Sequence, residues 1–208
     1  MKKDQFPSFE EFKREQQDMA AALGRAYNAA RIEIAYEEHI KNLTEGELLD
    51  PIPATSTTVG GYLEKLEEVF EVNSLKEGEL AIFIAPSFYE EWQMRITKEE
   101  VWAEQVEKQI WRQFDQRIPI DKTRNRQAVE ISPADRSVLA QECTELILNK
   151  REREGRRLVL DGIAYYFYLR QDGQLLSAMK HSPQANTRTG ELVERIGRWI
   201  NSKPTTTA

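Results

Sequence analysis

Two histidines, His39 and His181, and one cysteine, Cys143, are the residues of this 208-residue chain best suited to general-base, nucleophilic or metal chemistry. His181 ends an expected strand just before the Ser182-Pro183 break, an accessible place for a base. A base also needs a nucleophile or a second titratable group within hydrogen-bond reach, and no spacing in the chain supplies one. His39 falls near the end of an expected helix, where a cation suits the helix dipole. Cys143 lies on the apolar face of another helix. There a thiol packs as a small hydrophobe and lacks the cation or helix N-terminus that would activate it. The 35 acidic residues fall mainly where helices need a solvated face. No phosphate-binding glycine loop, serine elbow or HExxH motif occurs. No cofactor or metal centre is expected, and an enzymatic reading reduces to an unknown reaction near His181.

Binding chemistry has more to stand on. Residues 156–181, RRLVLDGIAYYFYLRQDGQLLSAMKH, read as a three-stranded antiparallel meander. Asp161-Gly162 and Asp172-Gly173 are the dipeptides that two-residue hairpin turns prefer, because both turn positions need positive φ. Counting from these turns sets Leu160 opposite Ile163, Leu158 opposite Tyr165, Leu169 opposite Leu176 and Phe167 opposite Ala178. These share one apolar face, a core wall with Lys180 at its rim. The other face carries Arg157, Tyr166, Tyr168, Arg170 and Met179. Tyrosine, arginine and methionine offer large contact area with polar handles, so an open face of this kind suits a protein partner. The plainer reading is that another part of the chain, such as the N-terminal helices, covers it. Exposed aromatics with arginine also suit stacking of single-stranded bases. For that alternative the phosphate contacts are Arg117, Lys122, Arg124 and Arg126 in a basic loop, and Arg157 at a helix end. A second basic run, Lys150 to Arg157, is interrupted by Glu152 and Glu154.

The elements that hold these residues can be read in order. Ser8-Phe9-Glu10-Glu11 is a capping box, and a helical pattern then runs to about Asn42 without a proline. Phe12, Met19, Leu23 and Ala26 form a near-heptad stripe that drifts to Tyr27 and Ile34, resembling a coiled-coil seam. Unbroken, that helix would be on the order of 50 Å long, against roughly 33 Å across for a compact domain of this size. It is therefore expected to bend near Gly24, project, or lie on a partner.

Pro51, Pro53 and a Thr/Ser run make residues 43–59 a linker. An acidic amphipathic helix over 60–73 follows, with Leu63, Leu66 and Phe70 on one side. Leu80–Ala85 is apolar on both faces, as in a covered central strand, and Trp92–Thr97 alternates cleanly. A second capping box, Thr97-Lys98-Glu99-Glu100, predicts a helix with Trp102, Val106, Ile110 and Phe114 buried. Ala128–Ile131 is expected as a short strand. Ser132-Pro133-Ala134-Asp135 opens a helix whose inner face is Leu139, Cys143, Leu146 and Ile147. A last helix from about Thr189 presents Leu192, Val193, Ile196 and Ile200.

The pattern predicts an α+β fold. A long N-terminal helix with its linker spans 1–58, an α+β domain with a mainly antiparallel sheet from residue 79 spans 59–202, and a disordered tail covers 203–208. Charge divides unevenly. Residues 1–100 hold 11 basic and 21 acidic side chains, within a whole-chain net of −6. Opposite signs either pair inside the fold or mark two surfaces with different partners. No apolar run has the length of a membrane span and no signal core is seen, so a cytoplasmic protein without membrane association is expected. The reading that follows is a non-enzymatic protein that binds a partner or itself through Phe12, Met19, Leu23, Ala26, Tyr27, Tyr166, Tyr168 and Arg170. Nucleic-acid association through the basic loop is the alternative.

Overall fold

The computed structural model describes residues 7–22, 24, 27–46, 48–52, 57–151, 162–183, 185 and 187–201. The chain divides into two compact units, Met1–Glu47 and Leu48–Ala208. The first holds helices α1 (Phe9–Ala22) and α2 (Ile32–Gly46). The single long helix read from the periodicity is therefore two helices. The break includes Gly24 at φ +61°, a left-handed conformation that glycine adopts at little cost and that ends a helix. A 3₁₀ turn at Ala29–Arg31 leads into α2.

The second unit is an α+β fold around a six-stranded antiparallel sheet. Its strands are β1 (Leu80–Pro86), β2 (Trp92–Ile96), β3 (Val101–Val106), β4 (Arg124–Ala128), β5 (Ile163–Gln171) and β6 (Gln174–His181), in the order β4-β3-β2-β1-β5-β6. Helix α3 (Thr57–Val69) and the short α4 (Ile110–Asp115) precede and follow the first three strands. Helices α5 (Pro133–Leu148) and α6 (Arg188–Asn201) come later.

Period-two alternation divides the core into two layers. On one face, Leu80, Ile82, Met94, Ile96, Val101, Ala103, Tyr165, Phe167, Leu169 and Ala178 pack with α5 (Leu139, Cys143, Leu146, Ile147) and α6 (Leu192, Val193, Ile196, Ile200). On the other, Ala81, Phe83, Ala85, Ala164, Tyr166 and Tyr168 pack with Tyr62, Leu63, Leu66, Val69 and Phe70 of α3 and its end, and with Ile110 of α4. With helices on both faces, β1 and β5 have no solvated side. That is why both read as continuous apolar or aromatic runs.

The β5–β6 hairpin has the register counted from Asp172-Gly173, with Leu169 opposite Leu176 and Phe167 opposite Ala178. Asp172 and Gly173 sit at φ 52° and 71°, as a type I′ turn requires. Glu77 accepts from both of their backbone N–H groups. The strand expected at 156–160, with Leu158, Leu160 and Arg157, lies outside the described residues. Both edges of β5 are occupied, by β1 and by β6. Gly162 is at φ +134°, beyond type I′ values. The position a Cβ would take there is filled by the Ser182 hydroxyl, so this glycine permits a close approach of two chain segments.

Two expectations are corrected. Thr97–Glu100 closes the β2–β3 hairpin and does not start a helix. The Thr97 hydroxyl accepts from the N–H of Glu99 and Glu100, and Thr97 N–H donates to Glu100 O at 2.9 Å. A threonine satisfies the same donors in a turn as at a helix start, and the strand-forming run Val101–Val106 then decides the outcome. The next strand lies over Arg124–Ala128, four residues before the expected Ala128–Ile131 and inside the supposed basic loop.

Candidate interaction site

In the first unit, the predicted capping box is present. Glu11 accepts from Ser8 N–H and the Ser8 hydroxyl at 2.8 Å, and the Ser8 hydroxyl accepts from Glu11 N–H. These bonds hold the Glu11 carboxyl below its usual range. Helices α1 and α2 meet through rings. Phe12 stacks on His39 at 4.8 Å, while Phe9 and Phe12 lie 5.3 and 5.6 Å from Tyr36. The Tyr36 hydroxyl donates to Pro7 O at 2.9 Å. Phe12 and Ile32 are the buried apolar side chains described here, whereas Met19 is 54% exposed and Ile34 60%. Tyr27 is half-buried, with a hydroxyl that has no hydrogen-bond partner. Leu23 and Ala26 lie outside the described residues.

The tyrosine face of β5 is closed. Tyr166 and Tyr168 are both buried under α3, so the open face proposed for them is corrected. The run Ala-Tyr-Tyr-Phe-Tyr-Leu carries enough apolar area to be covered on both sides, and α3 supplies the cover. The Tyr168 hydroxyl donates to Glu67 on α3 at 2.9 Å. Burial is the main cause that pushes the Tyr168 hydroxyl up strongly and Tyr166 up to about 12. Arg170, at the strand end, is partly exposed and reaches Gly173 O at 3.4 Å.

At the centre of this layer lies Glu91, which no spacing in the sequence marked. It is fully buried and accepts from the Tyr62 hydroxyl at 2.7 Å, Ile110 N–H at 2.7 Å and Trp111 N–H at 2.8 Å. One carboxylate thus ties α3, the start of α4 and the β1–β2 connection together. Burial pushes its pKa up, while the bonds it accepts oppose the shift. Beside it, the Gln93 amide is buried with neither its oxygen nor its nitrogen bonded.

The cations of the supposed phosphate site are committed within the fold. Lys122 pairs with Glu68 of α3 at 2.7 Å, and together with Lys65 it holds the Glu68 carboxyl down to about 2. Arg124 reaches Val69 O at 2.6 Å and Glu71 at 3.1 Å, and lies 3.3 Å from Glu104, a charge contact without hydrogen-bond geometry. Arg126 pairs with Glu100 at 2.9 Å and lies 4.0 Å from the centre of the Trp102 ring. Arg117 is exposed, with φ 55°, and Arg157 lies outside the described residues. Part of the opposite charge of the two halves is thus matched where acidic α3 meets basic β4.

His181 pairs with Ala164 at the end of β6. Its buried Nδ1 has no hydrogen-bond partner, so no nucleophile or acid is coupled to it there. Burial lowers its pKa below 6.5. Burial pushes the fully buried Cys143 thiol up to about 12, away from thiolate chemistry. Among the described residues, no three His, Cys, Asp or Glu side chains group to hold a metal ion, and no helix is long and apolar enough to cross a membrane.

The sign of the His181 shift predicts a pH effect. The folded state takes up this proton less readily than the unfolded chain. Stability from this site is therefore present above about pH 6.5 and is lost as pH falls through the lowered folded value. Denaturant midpoints measured from pH 7.5 to 5.5 should fall more steeply for the parent than for His181→Gln. Parallel curves would refute the assignment.

No protein-family model matches the chain, and no curated protein or solved structure does either.

Proposed function

We propose that this is a non-enzymatic interaction protein whose N-terminal helical unit engages a protein partner, a second copy of the chain included. The α+β unit is its scaffold. The observation that carries this reading is the imbalance in the first unit, where Phe12 and Ile32 are buried while Met19 and Ile34 remain more than half exposed. With Phe12 and Ile32 as the buried apolar side chains among its described residues, the unit gains little from the core they form. Apolar residues left in water on such a unit favour burial against another surface. The closed tyrosine face removes the sheet from the contact area first read from the sequence, and the internally paired cations give nucleic-acid association no comparable support.

The test is the assembly state of the full chain, measured by light scattering after size exclusion and by chemical cross-linking from extracts. Met19→Glu and Ile34→Glu should each weaken self-association or partner capture by at least tenfold. Their melting temperatures should stay within a few degrees of the parent, because both side chains are exposed. Unchanged assembly and unchanged cross-links in both variants would overturn the proposal.

A further inference from the structure

One row of side chains crosses the sheet on the face that α3 covers. Glu104 of β3 stands opposite Gln93 of β2, Gln93 opposite Phe83 of β1, and Phe83 opposite Tyr166 of β5. Opposite residues of an antiparallel pair share a face, with Cβ atoms about 4.5–5.5 Å apart. The Gln93 side chain is therefore set between a phenyl ring and a carboxylate. Gln93 is fully buried, and neither its Oε1 nor its Nε2 has a hydrogen-bond partner among the described residues. Glu104 is buried too. Its Oε2 has the Arg124 guanidinium at 3.3 Å as a charge contact and no hydrogen bond. Buried amides and carboxylates are bonded in most folded proteins, to protein or to ordered water. Two such groups left open across one strand pair point to a shared partner.

The polar groups around them are already engaged. The next residues of β2 on the same face are Glu91 and Arg95. The Glu91 carboxylate accepts from Tyr62, Ile110 and Trp111. Arg95 donates to Ser74 and Glu79. Glu104 itself cannot complete Gln93, since a carboxylate only accepts. A direct bond from Nε2 to Glu104 would still leave Gln93 Oε1 without a donor.

We propose that an ordered water is bound between Gln93 and Glu104 beneath α3, donating one proton to Gln93 Oε1 and the other to Glu104 Oε2. Its lone pairs remain to accept from a neighbouring N–H, so the site offers the two to four polar partners that a buried water takes. The same chemistry excludes other occupants. A metal cation donates no hydrogen bond, and it would sit beside the guanidinium that already balances Glu104. An organic ligand has no opening, because Gln93, Glu104, Phe83 and Tyr166 are all buried. The bridge joins β2 to β3 through side chains, in the layer that carries α3. It concerns the α+β unit and is independent of the function of the helical unit.

The test uses the full chain, with water itself as the probe. Rotating-frame NOE spectra should show a cross-peak between water and the Gln93 side-chain NH2, and a high-resolution crystal structure should show a water within hydrogen-bond distance of both side chains. Gln93→Met then reads the sign of the stability change, since methionine is apolar and similar in shape. With the bridge present, the variant takes a partner from Glu104, and the unfolding equilibrium constant should rise at least tenfold. In a dry site the variant removes two unpaired polar atoms, and the constant should fall or stay the same. Both parent measurements decide the question even if Gln93→Met fails to fold. No water cross-peak, a dry contact between Gln93 and Glu104 in the crystal, or a Gln93→Met variant at least as stable as the parent would overturn the inference.

Discussion

Glu91→Ala is expected to lower the unfolding free energy by about 3–4 kcal/mol, because three donors lose their acceptor together and each buried orphan costs about 1–3 kcal/mol. Tyr62 OH, Ile110 N–H and Trp111 N–H all end on this one buried carboxylate. Denaturant unfolding followed by the tryptophan signal would measure the loss, with Trp111 itself at the site. Tyr62→Phe removes one of the donors, so the double variant Tyr62→Phe/Glu91→Ala should lose less than the sum of the two single changes. Burial raises the folded pKa of Glu91 above the ordinary carboxylate value of 4.5. Its contribution is therefore fully present below about pH 4.5 and is lost as pH rises through the folded value. Glu67, also raised by burial, acts in the same direction. Glu91→Gln should be milder than alanine and should flatten this part of the stability profile. A loss under 1 kcal/mol for the alanine variant would show that water replaces the carboxylate, and the hub would not be one.

Arg124→Ala should cost about 2–3 kcal/mol, below the usual 3–5 kcal/mol for breaking a buried pair, because Arg124 and Glu104 keep 22% and 11% side-chain exposure. The change strands Glu104 in the layer under α3 and frees Val69 O at the end of that helix. Adding Glu104→Gln should recover part of the loss, since the uncompensated charge goes. The same experiment separates two roles for this arginine. A free phosphate ligand could be replaced with little effect on unfolding, whereas a clamp between β4 and α3 could not. Unchanged stability in Arg124→Ala would return it to the class of available surface cations.

The sequence displayed most of the elements and hid the details that matter for function. Ser8-Phe9-Glu10-Glu11 and Ser132-Pro133 were legible because their side chains satisfy backbone donors within four residues, and Asp172-Gly173 because its two residues set the turn angles themselves. Thr97-Lys98-Glu99-Glu100 misled for the same local reason, since its hydroxyl serves a hairpin as readily as a helix. β4 was hidden because Arg-Asn-Arg-Gln-Ala alternates two kinds of polar residue, and an edge strand needs no apolar stripe. The covered state of Tyr166 and Tyr168 depends on α3, about a hundred residues earlier, as the Tyr168–Glu67 bond shows. Glu91 could not be distinguished from its neighbour Glu90 by any pattern, because the partners of its carboxylate come from two elements distant in sequence, α3 and α4.

The strand order also bears on synthesis. β1 ends at Pro86 but its partner β5 is complete only at Gln171, so one side of Leu-Ala-Ile-Phe-Ile-Ala waits for roughly 85 further residues. At about 5–20 residues per second on a ribosome, that is on the order of 4–17 s. The meander β1–β3 can form locally in that interval, since its turns are short. During it, the nascent chain presents an unpaired strand that is apolar on both sides, the kind of segment that seeds intermolecular pairing. Yield during expression should therefore respond to translation speed between codons 86 and 171 even when the finished protein is stable.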